Sequence, residues 1–325
     1  MKKLMMLLML ATTTWQAIAQ QSRVAIIPQP VSVKENPGSY LLPRQIVVDA
    51  PNMASLQYTQ KWLQHKLTTA TGYTMLFTQG KPATASIVLQ QLQPANATLG
   101  KEGYELEVNQ KQIIIKANDA AGFYYGVQSL VQLFPKEIEA KQVQKNVQWT
   151  APCANITDYP RFAWRGLMFD VSRHFFTKQE VKDYIDQMAR YKFNVFHWHL
   201  TDDEGWRLEI KGLPKLTSVG AWRVPKEGYF GDMSKPEPNE PKTYGGFYTQ
   251  EDVKEIIAYA KERFVNILPE IDVPGHSLAA IASYPELSCT PGAENYVVRS
   301  GEKIMNWYGD GKFSALVDNA LCPAN

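Results

Sequence analysis

The chain has 325 residues, 45% of them hydrophobic and 20% charged, a composition that excludes a disordered tail and leaves room for two globular domains. Its 34 basic and 32 acidic side chains nearly cancel to +2 and form no basic block, which argues against nucleic acid as a partner. The three cysteines, Cys153, Cys289 and Cys322, are too few for a disulfide scaffold and lack the spacing of a metal site.

Residues 1–19 read as a signal peptide. Lys2 and Lys3 precede the apolar run Leu4 to Leu10, and Ala17-Ile18-Ala19 supplies small residues for cleavage. The run is too short to span a bilayer and no cysteine follows to accept lipid, so the expected product begins near Gln20, carries no membrane anchor and lies in the periplasm or outside the cell. Export allows one disulfide. Cys289 with Cys322 is the expected pair, against the alternative that all three thiols are free and buried.

Residues 20–150 read as a smaller α+β domain. Gln45 to Val48 and Ser86 to Leu89 are β-rich, and Leu56 to Ala70 is helical. Tyr104 to Val108 and Gln112 to Lys116 form a hairpin around Asn109-Gln110-Lys111, and Phe123, Val127, Leu130, Val131 and Phe134 recur at helical spacing before Pro135. No cluster of catalytic residue types falls in this half, which reads as an accessory domain.

Residues 151–325 change to strand, helix, strand, helix, strand. Arg165 to Val171, Phe193 to Leu200 and Phe264 to Ile271 are the strands; Thr177 with Glu180, and Thr249 with Asp252, open the helices between them as capping boxes. A loop-rich insertion rich in glycine and proline, from Gly212 to Gly246, separates the second strand from its helix. Repeated βα units imply a parallel sheet covered by helices, and a barrel or a doubly wound sheet would both fit.

Each strand ends in a dense polar cluster: Asp170 to His174, His197 to Glu204, and Glu270 to His276. Barrel active sites are assembled at the carboxyl ends of the strands, whereas a nucleotide-binding sheet calls for a glycine-rich loop that does not follow the first strand. His197 and His199 share a strand face and, with Asp202, would also suit a His-x-His metal site of a metallohydrolase; core packing of both histidines is the competing account. Glu270 and Asp272 also share a face and read as a polar floor, because neighbours on one strand do not flank a scissile bond.

The segments Arg165 to Phe176, Asn194 to Trp206 and Pro269 to His276, in this order, resemble the first three barrel strands of glycoside hydrolase family 20, the β-N-acetylhexosaminidases. The resemblance implies a partial (β/α)8 barrel behind an α+β domain, a glycan substrate, no cofactor and no metal. It implies that Arg173 holds the hydroxyls on carbons three and four of the terminal sugar, for which a planar, permanently charged fork is suited. Asp202 and His276 match the pair that runs in a hydrogen-bonded chain to the general-acid glutamate and adjusts its proton affinity. In the family the substrate's own acetamide attacks the anomeric carbon with overall retention, guided by an adjacent Asp-Glu pair at the end of the fourth strand. The sequence ends at Asn325 before such a strand, and Asp203-Glu204 belongs to the second-strand motif, so this chain is expected to be inactive alone. The alternative is a non-catalytic glycan-binding remnant. Oligomeric state is not legible in the sequence.

Overall fold

In the computed structural model residues 23–237 and 239–324 are described; the leader expected over residues 1–19 lies outside them. The first half is built from β1 Ser32–Leu41, β2 Gln45–Asp49, α1 Gln57–Thr71, β3 Thr74–Thr78, β4 Ile87–Gln91, β5 Tyr104–Val108, β6 Ile113–Ala117, α2 Ala120–Gln132 and β7 Thr150–Asp158. These strands form one sheet of order β1-β7-β5-β6-β4-β2-β3, parallel from β6 to β3 and antiparallel through β5, β7 and β1. The β5–β6 hairpin closes because the Asn109 Oδ1 accepts the backbone N–H groups of Lys111 and Gln112, both at 2.9 Å. Gly126 lets α2 lie directly on the sheet, since a Cβ there would stand 2.6 Å from Ile115 Cγ2. The expected division at 150/151 falls at the head of β7, which hydrogen-bonds to β1 and β5; the first sheet therefore runs on to Asp158.

The second half contains β8 Gly166–Asp170, α3 Lys178–Arg190, β9 Val195–Asp202, β10 Gly205–Trp206, α4 Lys215–Ser218, β11 Trp222–Arg223, β12 Tyr244–Gly245, α5 Gln250–Glu262, β13 Asn266–Ile271, α6 Leu278–Ser283, β14 Met305–Tyr308 and β15 Lys312–Ala315. β8, β9 and β13 are parallel neighbours with Gly166, Val195 and Asn266 in register, and β10 turns back on the end of β9. Both capping boxes form reciprocally, which fixes where α3 and α5 start. Along β9, Phe196, Trp198 and Leu200 are buried in the core while His197 and His199 point to the other face. The three strands are the beginning of a (β/α)8 barrel that does not close among the described residues: β8 and β13 pair only with β9, and Met168 is 53% exposed.

One hydrophobic cluster runs through both halves, from Ile46 and Leu63 to Phe196 and Val265. Polar ties reinforce it. The buried Lys192 Nζ lies 2.6 Å from Asp158 Oδ2 at the end of β7 and 2.9 Å from the Tyr104 hydroxyl, while Arg165 pairs with Glu102.

Candidate active site

The charged residues at issue all sit at the carboxyl ends of β8, β9 and β13 or just beyond them. After β8 the Asp170 Oδ1 accepts the N–H groups of Ser172 and Arg173, both at 3.0 Å, a local turn that brings the Arg173 side chain back toward the sheet. Its guanidinium then meets Asp170 Oδ2 at 2.7 Å, Asp202 Oδ2 at 2.6 Å and Glu204 Oε2 at 3.4 Å. The wholly buried Arg207 braces this corner by donating to the carbonyl oxygens of Val171, Ser172, Ala221 and Gly246. Gly205 and Gly245 leave it room; a Cβ on Gly205 would stand 2.2 Å from its guanidinium carbon.

Asp202 is the centre of the cluster. Its Oδ2 faces Arg173 and, at 2.9 Å, His199 Nε2; its Oδ1 accepts the Asp203 N–H at 2.7 Å and lies 3.0 Å from His276 Nδ1. Burial pushes its pKa up, but the bonds from His199 and the Asp203 amide, with the charges of Arg173 and His276, outweigh burial and hold it below the ordinary aspartate value. His276 reaches this place from a left-handed backbone with φ of 53° directly after Gly275, and its ring remains half exposed.

His199 is clamped on both nitrogens, by Asp202 at Nε2 and by Glu270 Oε2 at Nδ1, 2.8 Å away. Burial alone would favour the neutral ring; the two carboxylates overcome it and raise the pKa to about 9. It is therefore an imidazolium at neutral pH, and Arg173 Nη1, 3.1 Å from Nε2, stands beside a like charge with Asp170 to satisfy it. Glu270 also receives His197 Nε2. Both histidines thus have Glu270 as a polar partner, which the expectation of plain core packing does not include. His199, Asp202 and Asp272 bring ligand-type atoms within 4.8 Å of one another, and of these Asp202 already faces the Arg173 guanidinium.

Asp203 and Glu204 are enclosed. The Asp203 carboxylate accepts the Leu278 N–H at 3.1 Å and Asn319 Nδ2 at 2.8 Å. Glu204 is fully buried and faces Arg299 Nη1 at 2.7 Å; burial, reinforced by Asp202 and Asp203 and opposed by Arg299, lifts its pKa to about 7. Both residues are almost entirely shielded from solvent, Asp203 at 1% and Glu204 at 0% exposure.

The structure therefore brings Arg173, Asp202 and His276 together through direct contacts, although they are far apart in sequence. Sequence reasoning missed the ionised role of His199, the buried Glu204 and its partner Arg299. The first two stood inside the quoted motif, but Arg299 comes from an irregular loop without a pattern to mark it. The expected disulfide joins Cys289 to Cys322, and Cys153 is a free buried thiol.

Residues 23–159 match the family profile described as "Glycosyl hydrolase family 20, domain 2", and residues 162–316 match "Glycosyl hydrolase family 20, catalytic domain". A beta-hexosaminidase of Porphyromonas gingivalis is 36% identical over 268 residues, which cover 82% of this chain and 32% of that protein. Among solved structures, the Streptomyces plicatus N-acetyl-beta-hexosaminidase in complex with Thio-NAglucal superposes with a TM-score of 0.74 at 34% identity, over 92% of this chain and 53% of that one. The exo beta-N-acetylglucosaminidase of Vibrio harveyi in complex with N-acetylglucosamine gives a TM-score of 0.72 at 33% identity, over 93% and 42% respectively. This chain thus spans about a third to a half of the length of these proteins. With the accessory sheet, the three barrel strands and both family domains matched in order, the chain belongs to glycoside hydrolase family 20.

Proposed function

We propose that this chain supplies the accessory domain and the sugar-holding part of an exo-acting β-N-acetylhexosaminidase, which removes terminal β-linked N-acetylglucosamine or N-acetylgalactosamine by a retaining, substrate-assisted reaction. The observation that carries the reading is the convergence of Arg173, Asp202 and His276 at the carboxyl ends of parallel strands, where barrel enzymes place their chemistry. Asp170, Asp202 and Glu204 hold the Arg173 fork, so its exposed edge is pre-aimed at sugar hydroxyls. Asp202 fixes the His276 Nδ1 and leaves the other ring nitrogen to orient the carboxylic acid that protonates the leaving oxygen. Asp203 and Glu204 are too enclosed for that task, so in this reading the donor is a further carboxylic acid brought against His276. No step calls for a metal or a cofactor.

Export to the periplasm or beyond forms part of the same reading. It is supported by the leader-like residues 1–19 and by the Cys289–Cys322 disulfide, which suits an oxidising compartment. Among the described residues no helix is long and apolar enough to cross a membrane.

The test is titration of the purified chain with N-acetylglucosamine by NMR, alongside hydrolysis of a para-nitrophenyl N-acetyl-β-glucosaminide. Binding that disappears in Arg173→Lys, with no turnover by the chain alone, is the expected pair of results. Failure of the sugar to bind, or binding indifferent to Arg173→Lys, overturns the reading.

A further inference from the structure

Between the accessory helices and the first barrel helix lies a cavity of about 630 Å³ that shares no residue with the cluster around Asp202. Helix α1 gives one wall, with Trp62, and the second half of α3 gives the other, with Gln187 and Arg190; Gln128 of α2 also lines it. Because α3 returns between two parallel strands, its carboxyl end lies toward the amino ends of β8 and β9, whereas Arg173 and Asp202 stand at their carboxyl ends. The cavity therefore belongs to a separate part of the molecule.

Gln128 is the residue that calls for a ligand. It is 2% exposed, and its Nε2 is a buried donor without a hydrogen-bond partner among the described residues. Buried amide donors are nearly always paired, so one left open at the wall of a cavity marks a place for an acceptor from outside. The neighbouring charges are engaged with one another. Glu139, from the turn Lys136–Glu139, takes Lys66 Nζ at 2.6 Å and Arg190 Nη2 at 3.3 Å, which ties α1 to α3 across the cavity. Asp186 is held by Arg263 and by the Tyr259 hydroxyl, and Asp183 accepts from Gln179.

Apart from His65, three cations line the cavity, Lys66, Lys141 and Arg190, against three acids, Glu139, Asp183 and Asp186. A lining whose charges cancel favours neither an anion nor a cation. What remains is an indole and carboxamides. Trp62 is half-buried and held edge-on by Tyr124, with ring centroids 6.1 Å apart, and an indole suits the apolar C–H face of a sugar ring. A carboxamide offers a donor and an acceptor side by side, and the acetamido group of an N-acetylated sugar offers the complementary pair. The cavity is also roomier than a single ring requires. We propose that it is a second glycan site, which takes a stretch of two or more N-acetylated sugars with an acetamide against Gln128 and a ring against Trp62. The site uses none of the residues of the function proposed above and stands or falls without it; it gives the accessory domain a binding role of its own.

The test is NMR titration of the full chain with the β-linked tetrasaccharide of N-acetylglucosamine, carried out in an Arg173→Lys background so that the first site does not compete. The Trp62 indole N–H and the Gln128 side-chain amide should shift. Cellotetraose, with hydroxyls in place of the acetamido groups, should bind about tenfold more weakly, and so should the N-acetylated tetrasaccharide to Gln128→Leu. Gln128→Leu removes an unpaired polar group and should unfold in urea no earlier than its parent, which separates lost binding from lost structure. Trp62→Ala should also weaken binding; should it not fold, Gln128→Leu and the cellotetraose comparison carry the test. Absence of shifts at Trp62 and Gln128, equal binding of the two tetrasaccharides, or binding unchanged in Gln128→Leu overturns the proposal. Failure of N-acetylglucosamine to shift signals around Arg173 in the wild type, with the tetrasaccharide shifts at Gln128 kept, overturns the proposed function and leaves the second site standing.

Discussion

Replacing Asp202 by Asn tests the electrostatics of the site most directly. The substitution keeps the shape and an acceptor for the Asp203 N–H, but it removes the one buried negative charge shared by Arg173, His199 and His276. Taking one partner from a buried ion pair generally costs about 3 to 5 kcal/mol. Arg173 keeps Asp170 and Glu204, and His199 keeps Glu270, so the lower end, about 3 kcal/mol, is expected. The pH dependence gives an independent figure. The His199 pKa is raised from 6.5 to about 9, and at 1.36 kcal/mol per pH unit that shift is also worth about 3 kcal/mol. Because the folded pKa lies above the unfolded one, this stabilisation is complete below pH 6.5 and is lost as pH rises toward 9. Glu204, raised from 4.5 to about 7, acts with the same sign in a lower window, making the fold more stable as pH falls from 7 to 4.5. Urea unfolding at pH 7 and pH 9 therefore separates the two. The wild type should lose stability between these values, and Asp202→Asn should start lower and lose much less, its His199 ring titrating at lower pH by NMR. A variant within about 1 kcal/mol of wild type at pH 7, with the same pH slope, would refute the account of Asp202 as the charge that ionises His199 and anchors Arg173.

Two further predictions concern what holds the site in place. Lys192→Met should destabilise the chain by about 3 kcal/mol or more in urea unfolding, because it leaves Asp158 buried without its cation; adding Asp158→Asn should restore part of the loss, and a double variant no better than the single would count against a charge-based explanation. Reduction of the Cys289–Cys322 bridge, 33 residues apart, should cost about 3 to 4 kcal/mol against the same unfolding baseline. Its local signature should be faster amide exchange over the β14–β15 hairpin.

The barrel strands were readable because several signals coincide. β8, β9 and β13 are short apolar runs that end in polar clusters, and α3 and α5 announce themselves through Thr-x-x-Glu and Thr-x-x-Asp. β1 and β7 gave no such signal. The first contains Lys34, Glu35, Asn36, Pro37 and Gly38 with a register shift between Glu35 and Ser39, and the second is a run of small and polar residues; they are strands because they find each other and β5, a fact of pairing rather than of pattern. The convergence of Arg173, Asp202 and His276 was legible through resemblance to a family motif. The charge state of His199 was not, because it depends on Glu270 arriving on one side and Asp202 on the other, and only the register of β13 against β9 sets that distance.

The shared core has a consequence for how the molecule comes apart. Tyr124 on α2 meets Tyr58 on α1 and also Phe264 just ahead of β13, and Arg263 lies over the Tyr58 ring. Because one apolar cluster runs from the leading sheet into the barrel strands, loosening either half uncovers the other, so heating should give a single calorimetric peak. A fragment beginning at Tyr159 would be left with an oily flank in water, and the front sheet acts as its permanent chaperone.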